Sequence, residues 1–299
     1  MFVCCVVRSM ADSFRSSSTS LVRVDTNLWT YDGFVSMVRI FRLPTRMTII
    51  RLNQSNQLVV ISPFPPTDLL KKLLAEIGEV RFIIIPNEHH TFWPLDFLRA
   101  YPNAYLLATR GVSSDDKLNR SIHGYFTNQG LLSKENIDWP MDEIDFYCFY
   151  NGKFLSEVVF YHRSTSTLIL TDLAFNYFES EESTVRAEGY LFRFYLWLVN
   201  GYREASVSNP FRYFFRSNIV AIKNDFDEMM KRYEHFQRLI MAHGTIIEHR
   251  GYQALRNGTY QFVLDIYQNR NYSSINKKNF AILFTITATT AAAVCFFYL

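Results

Sequence analysis

The chain of 299 residues contains little glycine, proline or cysteine. Its 11 Gly and 9 Pro are too few for a collagen-like or low-complexity protein. The cysteines, Cys4, Cys5, Cys148 and Cys295, form no Cys-x-x-Cys pair, which excludes a zinc ribbon and a dithiol redox motif. A large excess of basic residues is also missing, because the formal net charge is only +3. We therefore expect no nucleic-acid partner.

Apolar residues are abundant, at 48% of the chain, and can fill a sizeable core. The body has no Gly/Ser-rich linker and no internal repeat, so we predict a single domain over residues 26–265. Residues 1–25 are predicted to be a disordered leader, although their Arg and Ser content is also typical of a mitochondrial transit peptide. Residues 266–279 are predicted to be a polar spacer.

The last twenty residues, 280–299, read FAILFTITATTAAAVCFFYL and carry no charge. Twenty helical residues span about 30 Å, which is the thickness of the bilayer core. Lys277 and Lys278 precede the segment, and positive charge favours the cytoplasmic side of a membrane. We predict a C-terminal transmembrane helix that anchors a single-pass protein with its globular domain in the cytosol. A buried C-terminal helix or strand is the alternative; the organelle and any protein partner stay open.

The body alternates short apolar runs with helical periodicity, which is typical of an α/β fold. Strands are predicted at 28–38, 47–52, 58–61 and 80–85, and Pro44 is expected to break the run between the first two. Further strands are predicted at 146–150, 157–161, 167–170 and 239–242. Helices are predicted at 68–77 and 226–236, and the aromatic segment 189–199 is expected to be a helix packed on the core.

Polar side chains follow three of the predicted buried strands directly: His89, Asp172 and His243. Ligands of α/β proteins bind beyond the carboxyl ends of strands. Two imidazoles and a carboxylate are a common ligand set for a divalent metal ion. We therefore predict that these residues bind a metal. The alternatives are that Asp172 caps a following helix and that each histidine is a hydrogen-bonded structural residue.

Several segments, in their order along the chain, resemble the metallo-β-lactamase superfamily, and in particular an uncharacterised branch of it. The similar segments are 44–52 with 58–63, 85–93 with 101–105, 157–162 with 171–176, and 242–244. The resemblance covers roughly residues 28–255. It implies an αββα sandwich whose metal ligands lie on loops at one edge of the sheets.

The superfamily's metal-site motifs are only partly present. His89 matches one position of the His-x-His-x-Asp-His motif, and Asp172 and His243 match the later acid and histidine. The remaining positions hold other residues: Asn87, Thr91 and Phe92 in that motif, Ser62 for the early acid, and Lys153 for the middle histidine. A two-metal hydrolase is therefore not expected.

Two functions are compatible with this reduced motif. In the first, one zinc or iron ion held by His89, Asp172 and His243 supports a membrane-anchored hydrolase of unknown substrate. His90 could replace His89 in a shifted register, and Glu88 could accept a proton; both are auxiliary candidates. In the second, the chain is a non-catalytic pseudoenzyme without a metal, acting as a membrane-tethered scaffold or binding module. The sequence is compatible with an enzyme and with a pseudoenzyme.

Overall fold

A computed structural model describes residues 11–37, 41–152, 155–178, 190–198, 201–207, 212, 215–216 and 218–269. Their strands are β1 (Ala11–Ser16), β2 (Val22–Asp25), β3 (Leu28–Met37), β4 (Phe41–Arg51), β5 (Gln57–Ile61), β6 (Glu79–Ile85), β7 (Tyr105–Thr109), β8 (Gly124–Thr127), β9 (Gly130–Ser133), β10 (Ile144–Gly152), β11 (Leu155–His162), β12 (Thr167–Ile169) and β13 (Arg238–Ile240). Their α-helices are α1 (Asp68–Ala75), α2 (Pro94–Ala100), α3 (Asp116–Asn119), α4 (Tyr190–Leu198), α5 (Ile219–Arg232), α6 (Gly251–Leu255) and α7 (Gln261–Gln268). Shorter turns are the 3₁₀ segments Arg110–Ser114 and Arg163–Thr165 and the π-helical turn Arg256–Tyr260.

The strands form two sheets. The first has the order β1-β3-β4-β5-β6-β7-β8-β9, with β2 paired to β3, and its central pairs β5·β6, β6·β7 and β7·β8 are parallel. The second has the order β10-β11-β12-β13, with only β12·β13 parallel. The parallel pairs need crossover connections, and α1, α2 and α5 lie in those connections.

Alternating side chains build the layers, because successive residues of a strand point to opposite faces. In β6, Ile83 and Ile85 belong to an apolar cluster that includes Leu70 and Leu74 of α1. Ile84 belongs instead to a cluster between the two sheets. The outer face of the second sheet packs against α5 in the same way. The result is an αββα sandwich, as the resemblance implied.

The helix α1 shows how local sequence produces one of these outer elements. Thr67 accepts a hydrogen bond from the backbone N–H of Leu70 at 3.2 Å and caps the first turn. Leu70 and Leu74, four residues apart, are fully buried on one face. The predicted helix over 68–77 is confirmed over Asp68–Ala75.

Pro44 lies inside β4, where a break was predicted. The strand pairs with β3 along its whole length, with Pro44 opposite Phe34. On its other side β5 pairs only with the part from Thr48 onward. Among the described residues no strand pairs with Pro44 on that side, so its missing N–H interrupts no hydrogen-bond ladder there.

Residues 1–25 were predicted to be a disordered leader, but the described part of this segment, residues 11–25, contains two strands. Residues of β1 and β2 pair with β3 and extend the first sheet. Phe14 of β1 packs against Phe64 and Trp93, with ring centroids 4.4 and 5.3 Å apart. The sequence did not predict this strand, because one aromatic residue in a polar stretch is a weak strand signal.

The predicted transmembrane helix, 280–299, lies outside the described residues, as does the spacer from residue 270 onward. Within the part of the chain that the structure describes, no helix is long and apolar enough to cross a membrane. The aromatic helix α4 buries Phe192 and Leu196, which form a cluster with Tyr177, and it exposes Phe194 and Trp197.

Candidate metal centre

Asp172 lies between two imidazoles. Nε2 of His243 is 3.1 Å from Oδ1 of Asp172, and Nε2 of His90 is 3.5 Å from Oδ2. One ligand atom from each of these three residues lies within 4.8 Å of the others. The side chains of His243 and Asp172 are only 6% and 4% exposed, and that of His90 is 10% exposed. Among the described residues this is the one His/Cys/Asp/Glu group that could hold a metal ion.

The topology of the two sheets explains why these residues meet. Asp172 and His243 follow β12 and β13, which are parallel neighbours, so their carboxyl ends lie at the same edge. His90 follows β6 of the first sheet. A backbone hydrogen bond of 2.9 Å from Val158 N–H to the carbonyl of Pro86 holds the two sheets together at this edge. The site is therefore formed where both sheets end.

The structure places His90, and not the predicted His89, in this cluster. Asn87 accepts hydrogen bonds through Oδ1 from the backbone N–H groups of both His89 and His90, at 2.8 and 3.1 Å. This turn points the adjacent imidazoles in different directions. His90, the auxiliary candidate of the shifted register, is the imidazole that lies close to Asp172. Metal binding by the set stays a prediction.

Glu88, the predicted proton acceptor, is turned toward a backbone group. Both of its oxygens accept from the N–H of Ser156, at 2.9 and 3.1 Å. Burial raises the pKa of Glu88, against the lowering effect of these hydrogen bonds. A Cβ added at Gly111 would lie only 1.7 Å from Glu88 Oε1, so the glycine makes room for this carboxylate. These contacts give Glu88 a structural role between strands.

The hydrogen bond at Nδ1 fixes the position of one proton on His243. Nδ1 lies 2.7 Å from the carbonyl oxygen of Pro44. A carbonyl only accepts hydrogen bonds, so Nδ1 must carry a hydrogen and donate it. Nε2, facing Asp172 at 3.1 Å, then either carries a second proton or offers its lone pair to a cation shared with that carboxylate.

The ionisation of Asp172 reflects its two neighbours. Burial alone would raise its pKa, but His90 and His243, when protonated on Nε2, attract and hydrogen-bond the carboxylate and hold its pKa well below its usual range. An ionised, buried carboxylate between two imidazoles is a suitable ligand for a divalent cation.

Glu157 of β11 is a site residue that the sequence prediction missed. It is 0% exposed and accepts hydrogen bonds from the backbone N–H groups of Thr171 and Asp172 at 2.7 and 2.8 Å. Burial and the charge of Asp172 raise the pKa of Glu157. The signal was present in the sequence, because a carboxylate beside the apolar run Val158-Val159-Phe160 needs buried partners.

Among the described residues, the remaining positions of the reduced motif and the other histidines are not part of this cluster. Ser62 is buried with a left-handed φ of 57°, and the hydroxyl of Thr91 donates to the carbonyl of Glu88. His162 is fully buried and bonded to the hydroxyls of Ser164 and Thr165, whereas His249 is exposed. Lys153 lies outside the described residues.

Comparison with known proteins places the chain in a family. Residues 25–191, more than half of the chain, match the family described as Domain of unknown function (DUF4336). The chain belongs to this family. No curated protein matches it.

The fold is that of the metallo-β-lactamases. The structure of TMB-1, described in relation to substrate and inhibitor binding, is 11% identical with a TM-score of 0.51, covering 83% of this chain and 98% of that one. The DIM-1 metallo-β-lactamase is 15% identical with a TM-score of 0.50, covering 84% and 99%. A metallo-β-lactamase from Hirschia baltica is 13% identical with a TM-score of 0.49, covering 82% and 97%. At identities of 11% and 15%, the likeness to TMB-1 and DIM-1 establishes the fold alone.

Proposed function

We propose that this chain is a metal-dependent hydrolase-like protein with a single metal site formed by His90, Asp172 and His243. The observation that carries the proposal is the orientation of His243. Its Nδ1–H donates a hydrogen bond to the carbonyl oxygen of Pro44. Unless Nε2 carries a second proton, its lone pair therefore faces the negative carboxylate of Asp172, and the two repel each other. A cation shared by both groups removes this conflict.

The distances support a single small ion. Nε2 of His243 and Nε2 of His90 lie 3.1 and 3.5 Å from different oxygens of Asp172. One ligand atom from each of the three residues lies within 4.8 Å of the others, so all three can reach one ion with small side-chain adjustments. Two histidines and one carboxylate are ligands that suit zinc or ferrous iron. The donor set therefore fits the ion.

The chemistry would be hydrolytic. A divalent ion with three protein ligands supplies the Lewis acidity that makes a water molecule nucleophilic near neutral pH. His90, Asp172 and His243 would hold the ion, and the Asp172 carboxylate would offset one of its two positive charges. An ester, an amide or a phosphate is the substrate class to test, and the substrate itself is left open.

Metal content tests this proposal. The full chain, purified without chelators, is expected to hold about one zinc or iron per chain by elemental analysis. Asp172→Asn and His243→Ala are expected to lose the metal while keeping the fold by circular dichroism. His249→Ala is the matched control, because that histidine is exposed and outside the cluster.

The competing function is a non-catalytic pseudoenzyme that acts as a scaffold. It is favoured because His90, Asp172 and His243 can hydrogen-bond one another without an ion. A wild-type chain that neither retains nor takes up zinc or iron, and that hydrolyses no model ester, amide or phosphate, would support the scaffold and reject the metal site.

We further propose that the chain is a single-pass membrane protein, anchored through residues 280–299 with its globular domain in the cytosol. The support is the uncharged twenty-residue segment and the preceding Lys277 and Lys278.

Replacing both Ile286 and Ala291 by arginine should cost roughly 5–7 kcal/mol of insertion free energy. The variant should then be released from membranes by alkaline extraction, whereas Asn276→Arg with Asn279→Arg should stay with them. Release of the wild type would contradict the anchor.

A further inference from the structure

Glu157 lies directly beneath the proposed ligand Asp172. The β11·β12 pairing sets Phe160 opposite Ile169, and continuing that antiparallel register by three residues sets Glu157 opposite Asp172. The paired strand ends at Ile169, so the backbone N–H groups of Thr171 and Asp172 find no strand partner there. The Glu157 carboxylate takes this place, accepting both at 2.7 and 2.8 Å.

Asn87 joins the two carboxylates. Its Nδ2 lies 2.8 Å from Oδ2 of Asp172 and 3.1 Å from Oε2 of Glu157. Both Asn87 and Glu157 are 0% exposed, so neither is screened by water. Two buried carboxylates repel each other, and the amide N–H groups placed between them offset that repulsion.

The same amide also controls the position of His90. Its other end, Oδ1, accepts from the N–H groups of His89 and His90 and so forms the turn that directs the His90 imidazole to Asp172. One buried side chain therefore touches the loop that carries one proposed ligand and the carboxylate of another.

We propose that Glu157 and Asn87 are positioning residues that set the geometry, and thereby the metal affinity, of the site formed by His90, Asp172 and His243. This inference rests on the proposed metal site. Neither residue is a ligand. Glu157 fixes the backbone of Asp172, and Asn87 fixes the direction of one Asp172 oxygen and the turn of His90.

The chemistry of Glu157 makes the role specific. Its three partners are all N–H groups, and only an acceptor side chain suits them. In Glu157→Gln the new amide would direct N–H groups at one of these donors, and the backbone at Asp172 must move to relieve the contact. Loss of such outer partners of metal ligands typically lowers metal affinity about 10- to 100-fold.

The test compares Glu157→Gln with Asp145→Asn in the full chain. Asp145 is an equally buried carboxylate at 3% exposure, but it pairs with Arg163 and Arg232. Isothermal titration with Zn²⁺ is expected to show a dissociation constant raised about 10- to 100-fold in Glu157→Gln and little changed in Asp145→Asn. Asn87→Ala is expected to behave like Glu157→Gln.

A second readout does not depend on metal. In the metal-free protein, the imidazole NMR signals of His90 and His243 are expected to shift in Glu157→Gln and to stay in place in Asp145→Asn. If Glu157→Gln fails to fold, Glu157→Asp keeps the charge and withdraws the carboxylate, with the same expected shifts.

The outcomes separate the two proposals. A folded Glu157→Gln variant with wild-type zinc affinity and unmoved imidazole signals would overturn the positioning role and leave the metal site intact. A wild type that binds no zinc would reject the metal site, and the imidazole signals would still decide whether Glu157 positions Asp172.

Discussion

The imidazole of His243 donates from Nδ1 to the carbonyl oxygen of Pro44, 2.7 Å away, and thereby ties the loop after β13 to the first sheet. Pro44 is available because β5 leaves that part of β4 uncovered. Arg46, two residues further along β4, adds bonds of 2.9 and 2.8 Å to the carbonyls of Met241 and Gly244. One segment of β4 therefore holds the loop that carries a proposed ligand.

His90 and His89 are expected to differ sharply when each is replaced by alanine. His90→Ala removes an imidazole 3.5 Å from Asp172 and should lose bound zinc or iron. His89→Ala is the adjacent control and should retain the metal, since His89 is not part of the cluster. Metal content by elemental analysis measures both. Equal retention in the two variants, or loss in His89→Ala alone, would contradict the site as described.

Replacement of Arg46 should lower both stability and metal affinity. Arg46 is 3% exposed and pairs with Asp32 through two hydrogen bonds of 2.9 Å. Breaking a buried pair typically costs about 3–5 kcal/mol, and since Asp32 is 23% exposed we expect about 3 kcal/mol for Arg46→Ala by urea denaturation.

The control for Arg46 is Arg99→Ala. Arg99 pairs with Asp96 on the surface, where both side chains are largely exposed, and such pairs contribute less than about 1 kcal/mol. Equal destabilisation of the two variants would show that neither the pair with Asp32 nor the contacts with the Met241–Gly244 loop add to stability.

Gly244 is expected to tolerate no side chain. Its φ is +100°, and a Cβ there would lie 2.0 Å from the carbonyl oxygen of Asn176. Gly130 has a comparable φ of +123° with nothing within 4 Å. Gly130→Ala should cost about 1–3 kcal/mol from backbone strain alone, and Gly244→Ala should cost more. Urea midpoints compare them; equal losses would contradict the close approach.

His162 should make folding sensitive to mild acid. Burial lowers its pKa to about 4, against an unfolded value of 6.5. Because the folded state resists protonation, the stabilisation is complete above pH 6.5 and is lost as pH falls toward 4. The full effect is at most about 3 kcal/mol. Urea denaturation at pH 7 and pH 5 should show a smaller difference for His162→Gln than for wild type.

The exposed His249 provides the comparison for that pH effect. His249→Gln removes an imidazole that lies exposed at the surface, and it should keep the wild-type difference between pH 7 and pH 5. A His162→Gln variant with the wild-type pH dependence would show that another group is responsible.

The strand and helix order was predictable because it rests on local patterns. Ile83 and Ile84 are consecutive residues of an uninterrupted apolar run. Such a run predicts a strand that is buried on both faces, so the prediction does not depend on which face each side chain occupies. The helix that Thr67 caps was also predictable from local sequence. By contrast, the isolated Phe14 and the paired Pro44 depend on neighbours from other strands, so the disorder of residues 11–25 and the break at Pro44 were wrongly predicted.

The candidate site was predictable by location but not by identity. Asp172 and His243 follow adjacent strands, and their meeting was expected from the α/β pattern. The choice between His89 and His90 was not, because adjacent residues share every local signal and differ only in the direction that Asn87 imposes on the turn.

The sequence by itself determined the layered α/β architecture and the strand ends at which polar residues collect, because alternation and apolar runs are properties of consecutive residues. The tertiary structure decided which imidazole faces Asp172, and that Glu157 lies beneath it. Those outcomes depend on hydrogen bonds between residues 70 and 85 positions apart, such as those from Asn87 to Glu157 and Asp172, and no local pattern encodes such contacts.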